Sequence, residues 1–186
     1  VVGNEVTTHN GQFDPCPLHS GEAVPPYEER NWPKLVAGIR AKGARVVILN
    51  HPRWPSVAEG PHGVFALDRL SGERHAGDVP FTFDAMELVN STTEDEAWDY
   101  VLRDWFALLN HGERITAVGS SDSHTVGDPV GQGRTYVASA TDDPAAIDVE
   151  AACDAFLAGR TSVSMGFFVD AGIGEQMGFL EREGIG

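Results

Sequence analysis

The sequence predicts an α/β protein with a mostly parallel sheet, because strand and helix signals alternate along the chain. Short, continuous apolar runs at 45–50 and 85–90 are typical of strands that are buried on both faces. The stretch at 94–110 carries a wide apolar stripe at helical spacing. The 186 residues suffice for one core, and neither an internal repeat nor a low-complexity segment divides them, so a single domain over 1–186 is predicted.

The predicted elements follow in order. Asn31 and Asp148 suit helix N-caps, and Gly43 and Gly159 suit helix ends, because glycine adopts the left-handed conformation without strain. Residues 10–30 and about 51–80 are rich in glycine and proline, which predicts long loops. Strands are predicted at 1–8, 45–50, 85–90, 115–118, 135–138 and 161–165, and helices at 31–43, 94–110 and 149–158.

The charge balance excludes some partners. Asp and Glu number 28 against 13 Lys and Arg, and the resulting formal net charge of −15 repels phosphate backbones and anionic lipids. Nucleic acid and membrane surfaces are therefore not expected partners, and no apolar run reaches the roughly 20 residues of a membrane helix. A chain this acidic is suited to holding cations. Two cysteines, Cys16 and Cys153, are too few for a disulfide framework.

Side chains of the types that ligate metals lie in or after three predicted strands. Glu5 lies in the first strand, His51 directly follows the strand at 45–50, and Asp122 and His124 follow the strand at 115–118. Functional residues of parallel α/β folds gather at the carboxyl ends of strands. Side chains two residues apart in a strand point the same way, so Asp122 and His124 can ligate one ion or two adjacent ions. Carboxylate and imidazole together suit Zn, Mn or Fe.

Each of these residues also has an ordinary structural interpretation. An Asp-x-His pair is common by chance, and a histidine before proline, as at His51, is often a turn residue. Glu5 is harder to explain this way, because a buried carboxylate is costly unless it is paired or bound to metal. Arg53 and Arg134 are interpreted either as contacts for a substrate anion or as salt bridges. The remaining loop histidines are expected to be solvated: His19, His62, His75 and His111.

Six short motifs occur in one order along about 165 residues. They are Gly-Asn-Glu-Val-Thr-Thr with Gly-Gln-Phe at 3–13, Leu-Asn-His-Pro-Arg at 49–53, Glu-Leu-Val-Asn at 87–90, Leu-Asn-His-Gly at 109–112, Ser-Ser-Asp-Ser-His at 120–124, and the ending at 158–166. Together they resemble the PHP (polymerase and histidinol phosphatase) family, and within it the CehA/McbA-type metallohydrolases. The most specific motifs are Glu-Val-Thr-Thr, Asn-His-Pro and Ser-Asp-Ser-His in combination.

The resemblance implies a distorted (β/α)7 TIM-like barrel that holds two or three divalent ions, and for this chain one to three ions (Zn, Mn or Fe) are expected. Glu5 would bridge two ions, His51 would ligate one of them, and Asp122 with His124 would complete the cluster, so that these four residues are the implied metal ligands and catalytic residues. The implied activity is hydrolysis of a small-molecule phosphoester by a metal-bound hydroxide. An ester or carbamate hydrolase on the same scaffold is an alternative.

Two departures from the family pattern lead to a further alternative. The family opens with a His-x-His strand that does not precede Val1, so we expect a C-terminal portion of the domain and an incomplete barrel. Gln12 stands where the family has histidine, and an amide carbonyl is a poorer zinc ligand than imidazole. The alternative is a non-catalytic PHP-like domain that binds ions or a partner. An incomplete barrel exposes a sheet edge, which predicts self-association.

Overall fold

The computed structural model describes residues 32–41, 43–53, 56–58, 60–74, 82–90 and 96–168. These residues form helices α1 (Trp32–Ala41), α2 (Pro61–Val64), α3 (Glu96–His111) and α4 (Val149–Leu157), and strands β1 (Ile48–Leu49), β2 (Ala85–Asn90), β3 (Thr116–Ser120), β4 (Arg134–Val137) and β5 (Thr161–Ser164). The predicted strand at 1–8, the loop at 10–30 and the proposed ligands Glu5 and Gln12 lie outside the described residues.

The central sheet is parallel, with the strand order β1-β2-β3. Ile48 of β1 pairs with Ala85 of β2, and Ala85 pairs in turn with Thr116 of β3. The β2–β3 register shifts between Glu87 and Val89, which marks a local irregularity near the carboxyl end of the pair. Because the strands are parallel, their carboxyl ends meet at one edge of the sheet.

The sheet lies between two apolar layers. Met86, which has no exposed surface, belongs to a core on the face covered by α1 and α3, and Ala85 belongs to a second core on the face covered by α4. Neighbouring residues of β2 thus face opposite cores, which explains why the strand reads as a continuous apolar run. None of the helices in the described part of the chain is long and apolar enough to cross a bilayer.

A second, antiparallel sheet joins β4 to β5 and lies beside β3. The Thr135 hydroxyl donates to the carbonyl oxygen of Gly119 and accepts from its N–H, both at 2.7 Å. Thr161 donates its hydroxyl to the Ala117 carbonyl oxygen at 3.0 Å. A Cβ at Gly119 would lie 2.8 Å from a methyl carbon of Val163, so glycine permits this close approach. The antiparallel sheet is thereby fixed against β3.

The barrel implied by the family resemblance is wrong for the residues that the structure describes. They contain an open three-stranded parallel sheet and a two-stranded antiparallel sheet, with no closed barrel. The physical reason lies at β3. Threonine side chains of β4 and β5 donate hydrogen bonds to the backbone of β3. Strands β4 and β5, which precede and follow α4 in the chain, pair with each other in antiparallel orientation. The parallel sheet therefore does not continue past β3.

Most predicted helices and strands within the described residues are confirmed, whereas the predicted loop at 51–80 is confirmed only in part. Strand β2 has the predicted bounds, and Asp148 caps α4 by accepting from the backbone N–H groups of Glu150 and Ala151 at 2.9 and 3.1 Å. The predicted strand at 45–50 is reduced to β1. The loop at 51–80 contains the short helix α2, which begins at Pro61.

Candidate functional site

The edge where the parallel strands end holds two of the predicted ligands. His51 lies two residues beyond β1, and Asp122 lies two residues beyond β3. Between them, Asn90 ends β2. The parallel topology therefore places both proposed ligands at the carboxyl edge of one sheet, as the sequence predicts.

A buried carboxylate, that of Glu87, links the three strand ends. Its Oε2 accepts from the backbone N–H of His51 at 2.8 Å, and its Oε1 accepts from the Ser120 hydroxyl at 2.6 Å and from the Asn90 amide at 3.1 Å. The Nδ1 of His51 lies 3.5 Å from Oε2 and 3.2 Å from the Asn90 Nδ2. Because the side chain of Glu87 is only 3% exposed, these contacts take place out of bulk water. One carboxylate thus fixes the relative positions of the loops that follow β1 and β3.

Two predicted ligands, His51 and Asp122, have left-handed backbone conformations. His51 has φ 49° and Asp122 has φ 46°, and only one other non-glycine residue of the described chain, Ala66, has a positive φ. This conformation is sparsely populated for residues with a side chain, and such residues cluster at functional sites. The strain at His51 and Asp122 therefore supports a functional interpretation of this edge.

Asp122 and His124 lie close enough to share one ion. The Asp122 Oδ1 is 2.9 Å from the His124 Nε2. Ligand atoms bound roughly 2.0–2.1 Å from a tetrahedral zinc ion lie about 3.3 Å from each other, so a small outward adjustment would admit a metal. Their side chains are 22% and 58% exposed, which leaves the pair open to solvent. The donor chemistry and spacing of this pair fit a divalent cation.

The loop that carries the pair is held by Asp128. One Asp128 oxygen accepts from the backbone N–H groups of His124 and Thr125, at 2.9 and 2.8 Å. These two backbone hydrogen bonds, the bond from His124 first, hold the pKa of Asp128 below its usual range. Asp128 therefore stays ionised and shapes the turn.

The described residues supply only part of a metal centre. Among them, no group of three or more histidine, cysteine, aspartate or glutamate side chains lies within reach of one ion. Two predicted ligands, Glu5 and Gln12, lie outside the described residues. His51 reaches the same edge through its contacts with Glu87.

The two arginines interpreted as substrate contacts differ in their surroundings. Arg53 is 6% exposed and forms a two-pronged salt bridge with Asp104, at 2.6 and 2.8 Å, so its guanidinium is engaged in the interior. This arrangement corresponds to the salt-bridge interpretation. Arg134, at the start of β4, places one nitrogen 3.4 Å from the Tyr136 hydroxyl, and its Nε is buried with no hydrogen-bond partner in the described structure.

Sequence reasoning missed three side chains of the site and misjudged one histidine. The sequence patterns show Glu87, Asn90 and Ser120 only as parts of motifs, although a glutamate inside an apolar strand is the same signal that singles out Glu5. His62 was expected to be solvated and is instead fully buried, with its Nε2 3.0 Å from the Met86 Sδ. His111 is exposed at the end of α3, as expected.

No protein-family model, curated protein or solved structure matches the chain. The resemblance to the PHP family accordingly stays a prediction from the motifs.

Proposed function

We propose that this protein is a divalent-metal-dependent hydrolase whose site lies at the carboxyl edge of the parallel sheet. The observation that carries the proposal is the meeting of the loops after β1 and β3 at Glu87, which brings His51 and the Asp122–His124 pair to the same edge. The proposed ligands are His51, Asp122 and His124, together with Glu5 near the start of the same chain. The proposed site needs only the carboxyl edge of the open parallel sheet and does not depend on a closed barrel.

The chemistry of these side chains supports hydrolysis. Imidazole and carboxylate ligands suit Zn, Mn or Fe. When bound, such an ion polarises an ester or phosphoryl oxygen and lowers the pKa of the attacking water. The Asp122 Oδ1 and the His124 Nε2 lie 2.9 Å apart, and Asp128 holds the turn that carries both side chains.

Phosphoesters are the proposed substrate class, because the motifs resemble a family whose usual activity is phosphoester hydrolysis. An ester or carbamate hydrolase, the second alternative, would use the same water activation. The third alternative, a non-catalytic domain that binds ions or a partner, would share the ligands and lack turnover. These three alternatives make different predictions for one assay.

The test measures hydrolysis by the full chain after addition of Zn²⁺ or Mn²⁺. A chromogenic phosphodiester is compared with an aryl ester, in the wild type and in Asp122→Ala and His51→Ala. We expect phosphodiester turnover that falls at least a hundredfold in both variants and is unchanged in Asp142→Ala and His111→Ala, which alter exposed residues away from this edge.

The outcomes separate the alternatives. Turnover of the aryl ester alone supports the ester or carbamate hydrolase. Metal binding without turnover of either substrate supports the non-catalytic domain. Turnover that is unaffected by both Asp122→Ala and His51→Ala contradicts the proposed site.

A further inference from the structure

The carboxylate of Glu87 occupies an unusual place for an ionised group. It lies in the central strand of the sheet, where the adjacent residues of β2 are buried and apolar, and its side chain is 3% exposed. A buried charge is costly unless it is paired and fully hydrogen-bonded. An apolar side chain at this position would avoid that cost, so the carboxylate must be explained by what it contacts.

Every polar contact of Glu87 leads to the carboxyl edge of the sheet. The three hydrogen-bond donors are the His51 backbone N–H, the Ser120 hydroxyl and the Asn90 amide, all of them uncharged. The carboxylate also lies near the His51 imidazole, whose Nδ1 is 3.5 Å from Oε2. The carboxylate therefore faces the inner ring nitrogen of a proposed metal ligand.

This arrangement has a known chemical use. An imidazole that ligates a metal through one nitrogen must carry its proton on the other, and that N–H is usually donated to a carboxylate or carbonyl, which fixes the ring and raises its basicity. Ionised glutamate only accepts hydrogen bonds, so it favours a proton on the nitrogen that faces it. The inner nitrogen of His51 is Nδ1, which leaves Nε2 as the ligand atom.

We propose that Glu87 is a positioning residue that holds His51 with Nδ1–H toward the Glu87 Oε2, so that Nε2 binds the metal. The inference rests on the proposed function, because it assigns a role within that site. Asn90 offers the competing arrangement. Its Nδ2 is 3.2 Å from Nδ1, closer than the Glu87 Oε2 at 3.5 Å, and a hydrogen bond donated in that direction would place the proton on Nε2 and prevent Nε2 from binding metal. Zinc binding through Nε2 therefore requires the Nδ1–Oε2 contact to shorten into a hydrogen bond that replaces the one from Asn90. The two arrangements differ in one observable, the position of the imidazole proton.

The experiment reads that proton directly. Long-range ¹H–¹⁵N NMR spectra of the ¹⁵N-labelled full chain are recorded during titration with Zn²⁺, with His51 assigned by comparison with His51→Gln. We expect zinc-bound His51 to carry its proton on Nδ1 and to coordinate through Nε2. In Glu87→Gln we expect the zinc affinity, measured by chelator competition, to fall by about ten- to a hundredfold.

A matched control separates positioning from a general loss of charge. Glu113→Gln removes a carboxylate that is paired with Arg74 away from the strand ends, and zinc affinity should be unchanged. A purely structural role for Glu87 would lower the thermal stability of Glu87→Gln and leave its zinc affinity within twofold of the wild type. That result would overturn the inference, as would zinc-bound wild type with the His51 proton on Nε2.

Failure of the proposed function would look different. If His51→Gln bound zinc as tightly as the wild type, His51 would not be a ligand and both proposals would fall. If His51→Gln weakened binding while Glu87→Gln did not, only the role of Glu87 would be overturned. Should Glu87→Gln not fold, the proton position in the zinc-bound wild type decides the question without a variant.

Discussion

His62 shows what burial does to a single titratable side chain in this protein. It has no exposed surface, its Nε2 contacts the Met86 Sδ at 3.0 Å, and its Nδ1 lacks a hydrogen-bond partner in the described structure. Burial, followed by the positive charges of Arg53 and Arg74, lowers its pKa well below the ordinary value of 6.5. His62 is therefore neutral in the folded protein at pH values where an unfolded chain has begun to protonate it.

This difference predicts acid sensitivity. As the pH falls below 6.5, the unfolded state binds a proton on His62 that the folded state does not, so the free energy of unfolding falls with pH by up to about 1.4 kcal/mol per pH unit. His62→Gln should remove this contribution, and urea unfolding between pH 7 and 5 should then show a shallower pH dependence than the wild type. The exposed control His111→Gln should keep the wild-type slope. Equal slopes in wild type and His62→Gln would refute the assignment.

For single residues, the sequence predicts which side chains lie at strand ends better than it predicts what surrounds them in the fold. The strand-end positions of His51 and Asp122 could be predicted, because the apolar runs before them are local features. The burial of His62 could not, since Met86 and the nearby Phe83 ring come from a different segment. The hydrogen-bonding role of Glu87 could not be predicted either, because its partners include His51 from the loop after β1 and Ser120 from β3.

Among the elements, α3 and the loop after β1 are joined by one buried acid. Asp104 of α3 has no exposed surface and accepts both prongs of the Arg53 guanidinium, and a further bond from the Nε of Arg69 at 3.0 Å. The guanidinium of Arg69 also lies 3.8 Å from the centre of the Tyr100 ring. Because Arg53 is two residues beyond His51, this salt bridge anchors the loop that carries a proposed ligand.

Breaking this salt bridge should be costly. Asp104→Asn leaves two guanidinium groups without their carboxylate, and the free energy of unfolding should fall by about 3–5 kcal/mol. The comparison is Asp99→Asn on the same helix, which breaks an exposed pair with Arg103 and should cost less than about 1 kcal/mol. Chemical denaturation of both variants measures the difference. Similar losses in the two variants would show that burial does not set the strength of the Arg53–Asp104 pair.

The positions of elements follow from local patterns, whereas the way sheets associate does not. Apolar patterns predict where the helices and strands lie. The Asp148 cap marks the start of α4, and Gly43 and Gly159 mark helix ends. The antiparallel pairing of β4 with β5, and the Thr135 hydroxyl bonds that join this pair to β3, involve segments distant in sequence. A pattern of alternating strands and helices therefore predicted the parallel sheet and did not reveal where it stops.

For the whole molecule, two features predict self-association. Strand β1 has β2 on one side, and no other described strand pairs with it. Several large apolar side chains of the described chain are strongly exposed: Leu70, Val126, Val130 and Phe167. A strand edge that no described strand covers, together with exposed apolar surface, favours association.

The prediction is concentration-dependent oligomers of the full chain in light scattering. The net charge of −15 opposes contact between copies, so added salt should strengthen association by screening that repulsion. A stable monomer at every salt and protein concentration would count against this expectation.

The central claim, a metal site at the carboxyl edge of the parallel sheet, is tested most directly by the metal content of the full chain purified without chelators. Elemental analysis should find one or more equivalents of Zn, Mn or Fe per chain, lost in Asp122→Ala and kept in the exposed control Asp142→Ala. Absence of bound metal even after reconstitution, or equal metal content in Asp122→Ala, would contradict the account.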